Sequence, residues 1–483
     1  MSEHVVDTPC VDEPEYAPDP RRWRILGVSL VIGFMALLDV SIVNVAIPSM
    51  REGLHTSAGT IQWVVSGYAL AFGLTLVAGG RLGDAYGRRR LMLIGLALFI
   101  LSSAAVGLAP NAALVVLARL AQGASAGLLT PQNSGLIQQL FRGPERGRAF
   151  GIFGLTVSVS SAIGPVLGGL IIAAAGEDEG WRWLFLVNVP IGLAAMVAVM
   201  VMVPRRRPST GPSDNRIDVP GALLLGATVL CLLYPVVRVE GGDRLPLVLL
   251  VGVPLFGWGF VAWERRTAAH GHPPLLDLAL LRALPGYING LAVGALYFTG
   301  FTGVLLVTSL YLQEGLGMSP LQAGLLMVPF AAGSSVSAPL AGRVVTELGR
   351  KLTVAALATM IAGVILVALL VPGQDPVWPW LVPTLLVAGL GAGAVVSPNM
   401  TLTLAEVPPR MGGAAGGALQ TGQRIGASIG AAVLVTVYQL AADGSADAGL
   451  RAALLTGAAL VGLALLMAIR SLRQARSLED AAG

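Results

Sequence analysis

The sequence predicts an all-α integral membrane protein with fourteen transmembrane helices, arranged as two six-helix bundles related as repeats plus two inserted helices. Three observations lead there. Of 483 residues, 55% are hydrophobic and only 12% charged, about half the charged share of a soluble protein, and the shortfall runs along the whole chain. Apolar segments recur at lengths near the ~20 residues that a helix needs to cross the bilayer. Finally, a short Gly-Arg pattern appears twice, 262 residues apart.

The elements follow in order. Residues 1–24 form an acidic, Pro-containing tail without the apolar run that a cleaved signal peptide requires. Apolar windows at 25–48, 60–80, 91–109, 112–132, 149–175 and 184–203 make an amino-terminal bundle over 25–203. Residues 204–219 are a polar linker, and windows 220–238 and 245–263 form an inserted helix pair over 220–263. A second linker covers 264–285. Windows 286–312, 320–342, 352–371, 380–404, 414–441 and 450–469 make a carboxy-terminal bundle over 286–469, and 470–483 is a tail.

An even number of spans puts both termini on one side. Connections on that side hold 24 of the 31 basic residues and those on the other side hold five. The positive-inside rule therefore places both termini in the cytoplasm. Thirty arginines against a single lysine, Lys351, with abundant Ala and Gly, fit a high-GC bacterial genome and hence a multi-pass protein of a bacterial inner membrane.

Composition also excludes several functions. Cys10 and Cys231 belong at different depths and make poor disulfide partners. His4, His55, His270 and His272 lie in tails and loops without acidic neighbours at metal-ligand spacing, so neither a metal nor a cofactor is expected. The arginines are scattered between apolar segments, which is no nucleic-acid footprint. No phosphate-binding loop of the Walker type is present, so ATP is not the expected energy source. An enzyme would need paired acids, a nucleophile with its base, or a metal cluster at matched depth, and none stands out.

The repeat carries Gly80-Arg81 and Gly87-Arg88 onto Gly342-Arg343 and Gly349-Arg350. The same offset carries Ile163-Gly164 and Gly168 onto Ile425-Gly426 and Gly430. Two related bundles with a cavity between them are the architecture of a rocking transporter. Between windows two and three, Gly80, Gly83 and Gly87 allow a tight reversal, Asp84 can pair with an arginine or a helix amino terminus, and Arg88 sits among three arginines at headgroup level.

This loop, Gly80-Arg81-Leu82-Gly83-Asp84-Ala85-Tyr86-Gly87-Arg88, resembles the signature loop of the major facilitator superfamily. Further segments are similar to motifs of its fourteen-helix drug:proton antiporter branch: Leu38-Asp39 through Pro48, Arg119-Leu120-Ala121-Gln122-Gly123, Gly164-Pro165-Val166-Leu167-Gly168-Gly169, Trp181-Arg182 through Gly192, and Asp218-Val219-Pro220-Gly221. The resemblance implies the major facilitator fold and proton-coupled export of small, largely apolar compounds by a monomer. It also implies that Gly164, Pro165, Gly168 and Gly169 form the antiporter motif. The second loop copy departs from the first, with Thr346 in place of Asp84.

Asp39 lies past mid-bilayer, where a charge costs about 2.5–3.5 kcal/mol to insert, so it should face a cavity or a partner. Asp39 and Arg119 are the candidates for proton coupling, either as a working pair or as a static ion pair. Candidate cavity residues are Asn44, Gln122, Tyr297 and Phe301, the two aromatics being equally suited to packing, with Gln420, Arg424 and Ser428 on one row of their helix, where Arg424 has the alternative of snorkelling to the cytoplasmic end. Gly422, Gly426 and Gly430 form a second row there, suited to packing.

Overall fold

A computed structural model of the chain describes residues 18–176, 179–204, 218–240, 245–272, 274–442 and 445–482. Among the described residues the fold is all helical. The first six helices are α1 (Arg22–Gly53), α2 (Ala58–Tyr86), α3 (Arg88–Gly107), α4 (Ala112–Leu140), α5 (Gly143–Ala175) and α6 (Gly180–Met202), the last interrupted by one turn residue at Val187. The inserted pair is α7 (Val219–Glu240) and α8 (Gly252–Ala269), the latter preceded by a 3₁₀ turn over Leu245–Val251. The last six are α9 (Pro285–Leu310), α10 (Pro320–Leu348), α11 (Arg350–Leu370), α12 (Trp378–Thr403), α13 (Gly412–Ala442) and α14 (Ala446–Ala482).

Among the described residues thirteen helices are long and apolar enough to cross a membrane, and the fourteenth, α7, contributes a shorter apolar stretch over Val219–Pro235. Most helices run several residues past their apolar windows, and two domain boundaries move with them. The segment from 470 onwards stays helical as part of α14, and Glu264 to Ala269 belong to α8 rather than to a linker. Both segments carry several charges, which end an apolar window but not a helix, because Arg and Glu are good helix formers. The remaining linker holds a short helix, Leu278–Arg282. Most of the 204–219 linker lies outside the described residues.

Local signals set the ends. Ser57 caps α2 by accepting from the Thr60 amide at 3.2 Å, and Asn111 caps α4 by accepting from Leu114 at 3.0 Å. Ser319, 262 residues after Ser57, caps α10 in a capping box with Gln322. Gly87 closes α2 and opens α3 at φ +96°, and its counterpart Gly349 does the same between α10 and α11 at φ +53°. Side chains rarely adopt these angles, so the tight reversal needs glycine at both places.

The halves repeat in packing as well as sequence. Within the first, α1 packs on α5, α2 on α4, α3 on α4, and α6 on α1 and α3. In the second, α9 packs on α13, α10 on α12, α11 on α12, and α14 on α9 and α11. The seam between them joins α5 to α10 and, symmetrically, α13 to α2. The inserted α7 lies against α2 and α13 and covers that side of the seam.

One detail of the repeat is corrected. The backbone of Tyr68 faces Gly123, and that of Phe330 faces Gly389. Likewise Gly147 meets Gly342 as Gly413 meets Gly80. Residue 68 maps to 330, an offset of 262, but 123 maps to 389 and 147 to 413, an offset of 266. Gly164 therefore corresponds to Gly430 and not to Gly426. The cause is the α11–α12 connection, residues 371–377, which is longer than its counterpart at 108–111.

Candidate functional site

Asp39 on α1 and Arg119 on α4 meet inside the first bundle, with the guanidinium NH1 2.5 Å from Asp39 Oδ2. Both are buried, at 0% and 1% exposure, so neither is solvated and each needs its partner. Asp39 Oδ1 also accepts from Gln122 Nε2 at 3.0 Å and Asn188 Nδ2 at 3.1 Å. Both amides approach Ser103 Oγ at 3.1 Å, and that hydroxyl donates to the Phe185 carbonyl at 2.9 Å. Arg119 uses NH1 for Gln122 Oε1 at 2.9 Å and Nε for the Val64 carbonyl at 3.0 Å. Its guanidinium lies over the Tyr68 ring, 4.1 Å from the centroid. Five helices thus converge on one carboxylate. Gln122, expected at a cavity wall, lies within this network and is fully buried.

The second cluster closes one end of the seam. Asp84 accepts from the Gly413 amide at 3.1 Å and the Ala414 amide at 2.9 Å, at the first turn of α13. It also pairs with Arg88 at 2.7 Å. A carboxylate at a helix amino terminus gains from both the free amides and the helix dipole. Arg88 is buried beneath this contact and reaches Gln139 at 3.3 Å and the Pro409 carbonyl at 3.4 Å. Gly83 backs onto the Gln132 side chain, and Gly80 lies against the Gly413 carbonyl, where any side chain would collide.

From this end the described seam contacts climb on both sides of the molecule. On one side Gly147 and Gly151 meet Gly342, and Ser158 hydrogen-bonds Ser334 at 2.7 Å. On the other, Gly417 meets Leu76 and Val77, and Arg424 lies over the Phe72 ring, 4.5 Å from its centroid. Ser158 with Ser334 and Arg424 with Phe72 are counterparts under the repeat. Past Ser158, α5 exposes Ser161, Ile163, Val166 and Leu170. The molecule is closed at the Asp84 end.

The other candidates are distributed as follows. Gln420 is buried at the seam, with neither side-chain polar atom hydrogen-bonded, and Ser428 is half-buried. Gly422, Gly426 and Gly430 lie against Leu291, Ala295 and Thr299 of α9, so this row packs. Tyr297 is buried, donates to the Ala392 carbonyl at 3.1 Å, and stacks on half-buried Phe301 with centroids 5.3 Å apart. Gly164 lies against Ser41, Gly168 is buried, and Gly169 has open space beside it. The Asn44 and Pro165 side chains lie outside those described. An open hollow of about 640 Å³ sits between the first turns of α2 and α4, lined by Ser57, Thr60, Trp63 and Leu117 among others, and no expected cavity residue borders it. The sequence reading missed Ser103, Tyr68 and Asn188 as partners of the ion pair. Asn188 carried a signal, as an amide within an apolar window, whereas Ser103 carried none.

A family model described as Major Facilitator Superfamily matches residues 29–431. The chain belongs to this superfamily. It is 37% identical over 439 residues to the probable actinorhodin transporter of Streptomyces coelicolor, covering 89% of this chain and 75% of the relative. It is 36% identical over 427 residues to the puromycin resistance protein pur8 of Streptomyces alboniger, covering 87% and 82%. The drug efflux pump JefA of Mycobacterium tuberculosis is 35% identical over 425 residues, covering 86% and 80%. Among solved structures, the human organic anion transporter MFSD10 superposes with a TM-score of 0.69 at 18% identity, covering 93% of this chain and 100% of that one. At such identity it speaks for the fold alone. This superfamily member is a multi-pass membrane transporter and not an enzyme.

Proposed function

We propose that the protein is a proton-coupled antiporter that exports small, largely apolar compounds, drugs or antibiotics among them, by alternating access. The observation that carries this reading is the buried Asp39–Arg119 network in one half beside a seam closed at one end. A carboxylate alone in an apolar site favours its protonated form, and a bound guanidinium favours the ionised one. A movement that separates the pair would therefore couple proton binding to the change of state. Asp84 biases that movement, because its contacts with α13 exist only while the Asp84 end is closed. Efflux and resistance relatives from Streptomyces and Mycobacterium support the export direction.

The charge bias of the connections supports a bacterial inner membrane with both termini and the Asp84 loop in the cytoplasm. Protons and the exported compound are the partners, and the protein acts as a monomer. Reporter fusions after residue 110 or 180 should read as periplasmic, and a cytoplasmic reading would reverse the orientation. A second reading, dedicated export of one endogenous product, is favoured by relatives named for single compounds, actinorhodin and puromycin. In liposomes with an imposed pH gradient, proton-dependent accumulation of several unrelated dyes supports the broad reading. Accumulation of one compound class supports the dedicated one, and no proton dependence rejects antiport.

A further inference from the structure

Away from the Asp39 network, the inserted helix pair holds a second pair of acids. Asp218 caps the start of α7, its Oδ1 accepting from the Gly221 amide at 2.9 Å and from Trp263 Nε1 at 2.7 Å. Glu264, near the end of α8, accepts from the Leu276 amide at 3.1 Å through Oε2. The remaining oxygens, Asp218 Oδ2 and Glu264 Oε1, are buried and lack a hydrogen-bond donor. They converge on one point: a Cβ added to Gly221 would lie 2.5 Å from the first and 2.6 Å from the second. The residues are 8% and 1% exposed, so both carboxylates are withdrawn from bulk solvent.

Two ionised carboxylates facing each other in such a place would repel strongly, and neither could satisfy the other. One proton between them removes a charge and gives each free oxygen a partner. The geometry points to a second proton-binding site here, formed by Asp218 and Glu264, which clamps the α8–α9 linker. Among the described residues Asp218 is the charged group that acts on Glu264. Arg265, Arg266 and Arg282 are exposed, Asp277 is half-buried, and Arg81 of the neighbouring α2 acts on Asp84.

The clamp bears on the seam. Leu275, Leu276 and Leu281 of the linker belong to the apolar cluster that also holds Val77, Phe141 and Phe150 of the first half and Met400, Leu404 and Ala414 of the second. While the shared proton is present, Glu264 holds Leu276 and the linker leucines stay in that cluster. When it leaves at higher pH, the carboxylates separate and the linker loosens from the closed end.

The test uses the full chain in nanodiscs and needs no transport. Hydrogen exchange of the linker amides around Leu276 is followed from acidic to alkaline pH. Wild type should lose protection as pH rises, whereas Glu264→Gln, whose amide replaces the shared proton, should stay protected throughout. In infrared spectra at neutral pH, a protonated-carboxyl band should be present in wild type and in Asp39→Asn, and lost in Glu264→Gln and Asp218→Asn. A pH-independent wild type, a Glu264→Gln variant that loosens like wild type, or a band that survives both amide substitutions overturns the proposal.

Discussion

The same place in the two halves is built from opposite chemistry. In the first, Asp39, Tyr68 and Arg119 form a hydrogen-bonded ionic centre. Under the repeat these positions become Phe301, Phe330 and Leu385, where Phe301 and Phe330 lie 5.8 Å apart at the edge of an apolar core. The backbone scaffold is shared and the contents are not. The apolar version shows that the second half packs this place without charges. A desolvated ion pair is seldom more stabilising than a packed hydrophobic one, and its presence in only one half is in keeping with the coupling role proposed for Asp39 and Arg119.

That inference is exposed first to Asp39→Asn. Active accumulation should fall to the level of vesicles without the protein, while downhill exchange of substrate persists in part. Wild-type accumulation under an imposed pH gradient would make the carboxylate structural and remove the functional side of the comparison. Next in size is Arg119→Leu, which gives the first half its counterpart's side chain. Leaving Asp39 buried without its partner should destabilise the protein by about 3–5 kcal/mol, seen as a lowered melting temperature. Adding Asp39→Asn should restore much of that stability and none of the coupled transport. If stability returns together with coupling, the network is only a strut.

A smaller effect sharpens the comparison at the closed end. Asp84→Asn weakens charge-assisted bonds worth about 1.5–3 kcal/mol each and should reduce transport several-fold with insertion intact. Thr346→Ala, at the counterpart in the second half, should change little. Equal effects at the two sites would mean that both loops latch. Smallest is Ser158→Ala, which removes one neutral hydrogen bond worth about 1 kcal/mol across the seam. Arg424→Gln at the symmetric position should have the larger effect on apparent substrate affinity, measured as KM.

The sequence displayed the ionic centre because a charge in an apolar run has few innocent explanations. Asp39 and Arg119 could be picked out one by one, but their facing could not, since it depends on how α1 and α4 are rotated. Tyr68 and Ser103 were hidden by being ordinary: a tyrosine in an apolar helix or a serine among small residues carries no mark of its partner. The superfamily fold was legible from the resemblance of the Gly80–Arg88 loop to the family signature, backed by span count and repeat. The four-residue change of offset was not, because glycines are frequent enough in α5 and α13 to align at either register. The acid pair on α7 and α8 was equally out of reach, as its members are 46 positions apart and lie at opposite ends of two windows.

The glycines at the seam have one more consequence. Where Gly80 meets Gly413 and Gly147 meets Gly342, backbone touches backbone directly. Shutting such a surface freezes no side-chain rotamers, a loss that reaches about 1.5–2 kcal/mol for a long flexible side chain. At those two crossings no group has to be withdrawn on reopening, whereas the apolar cluster around Val77, Phe150 and Leu404 must part side chain from side chain. The closed end thus combines smooth backbone crossings with an apolar plug and the polar clasps around Asp84.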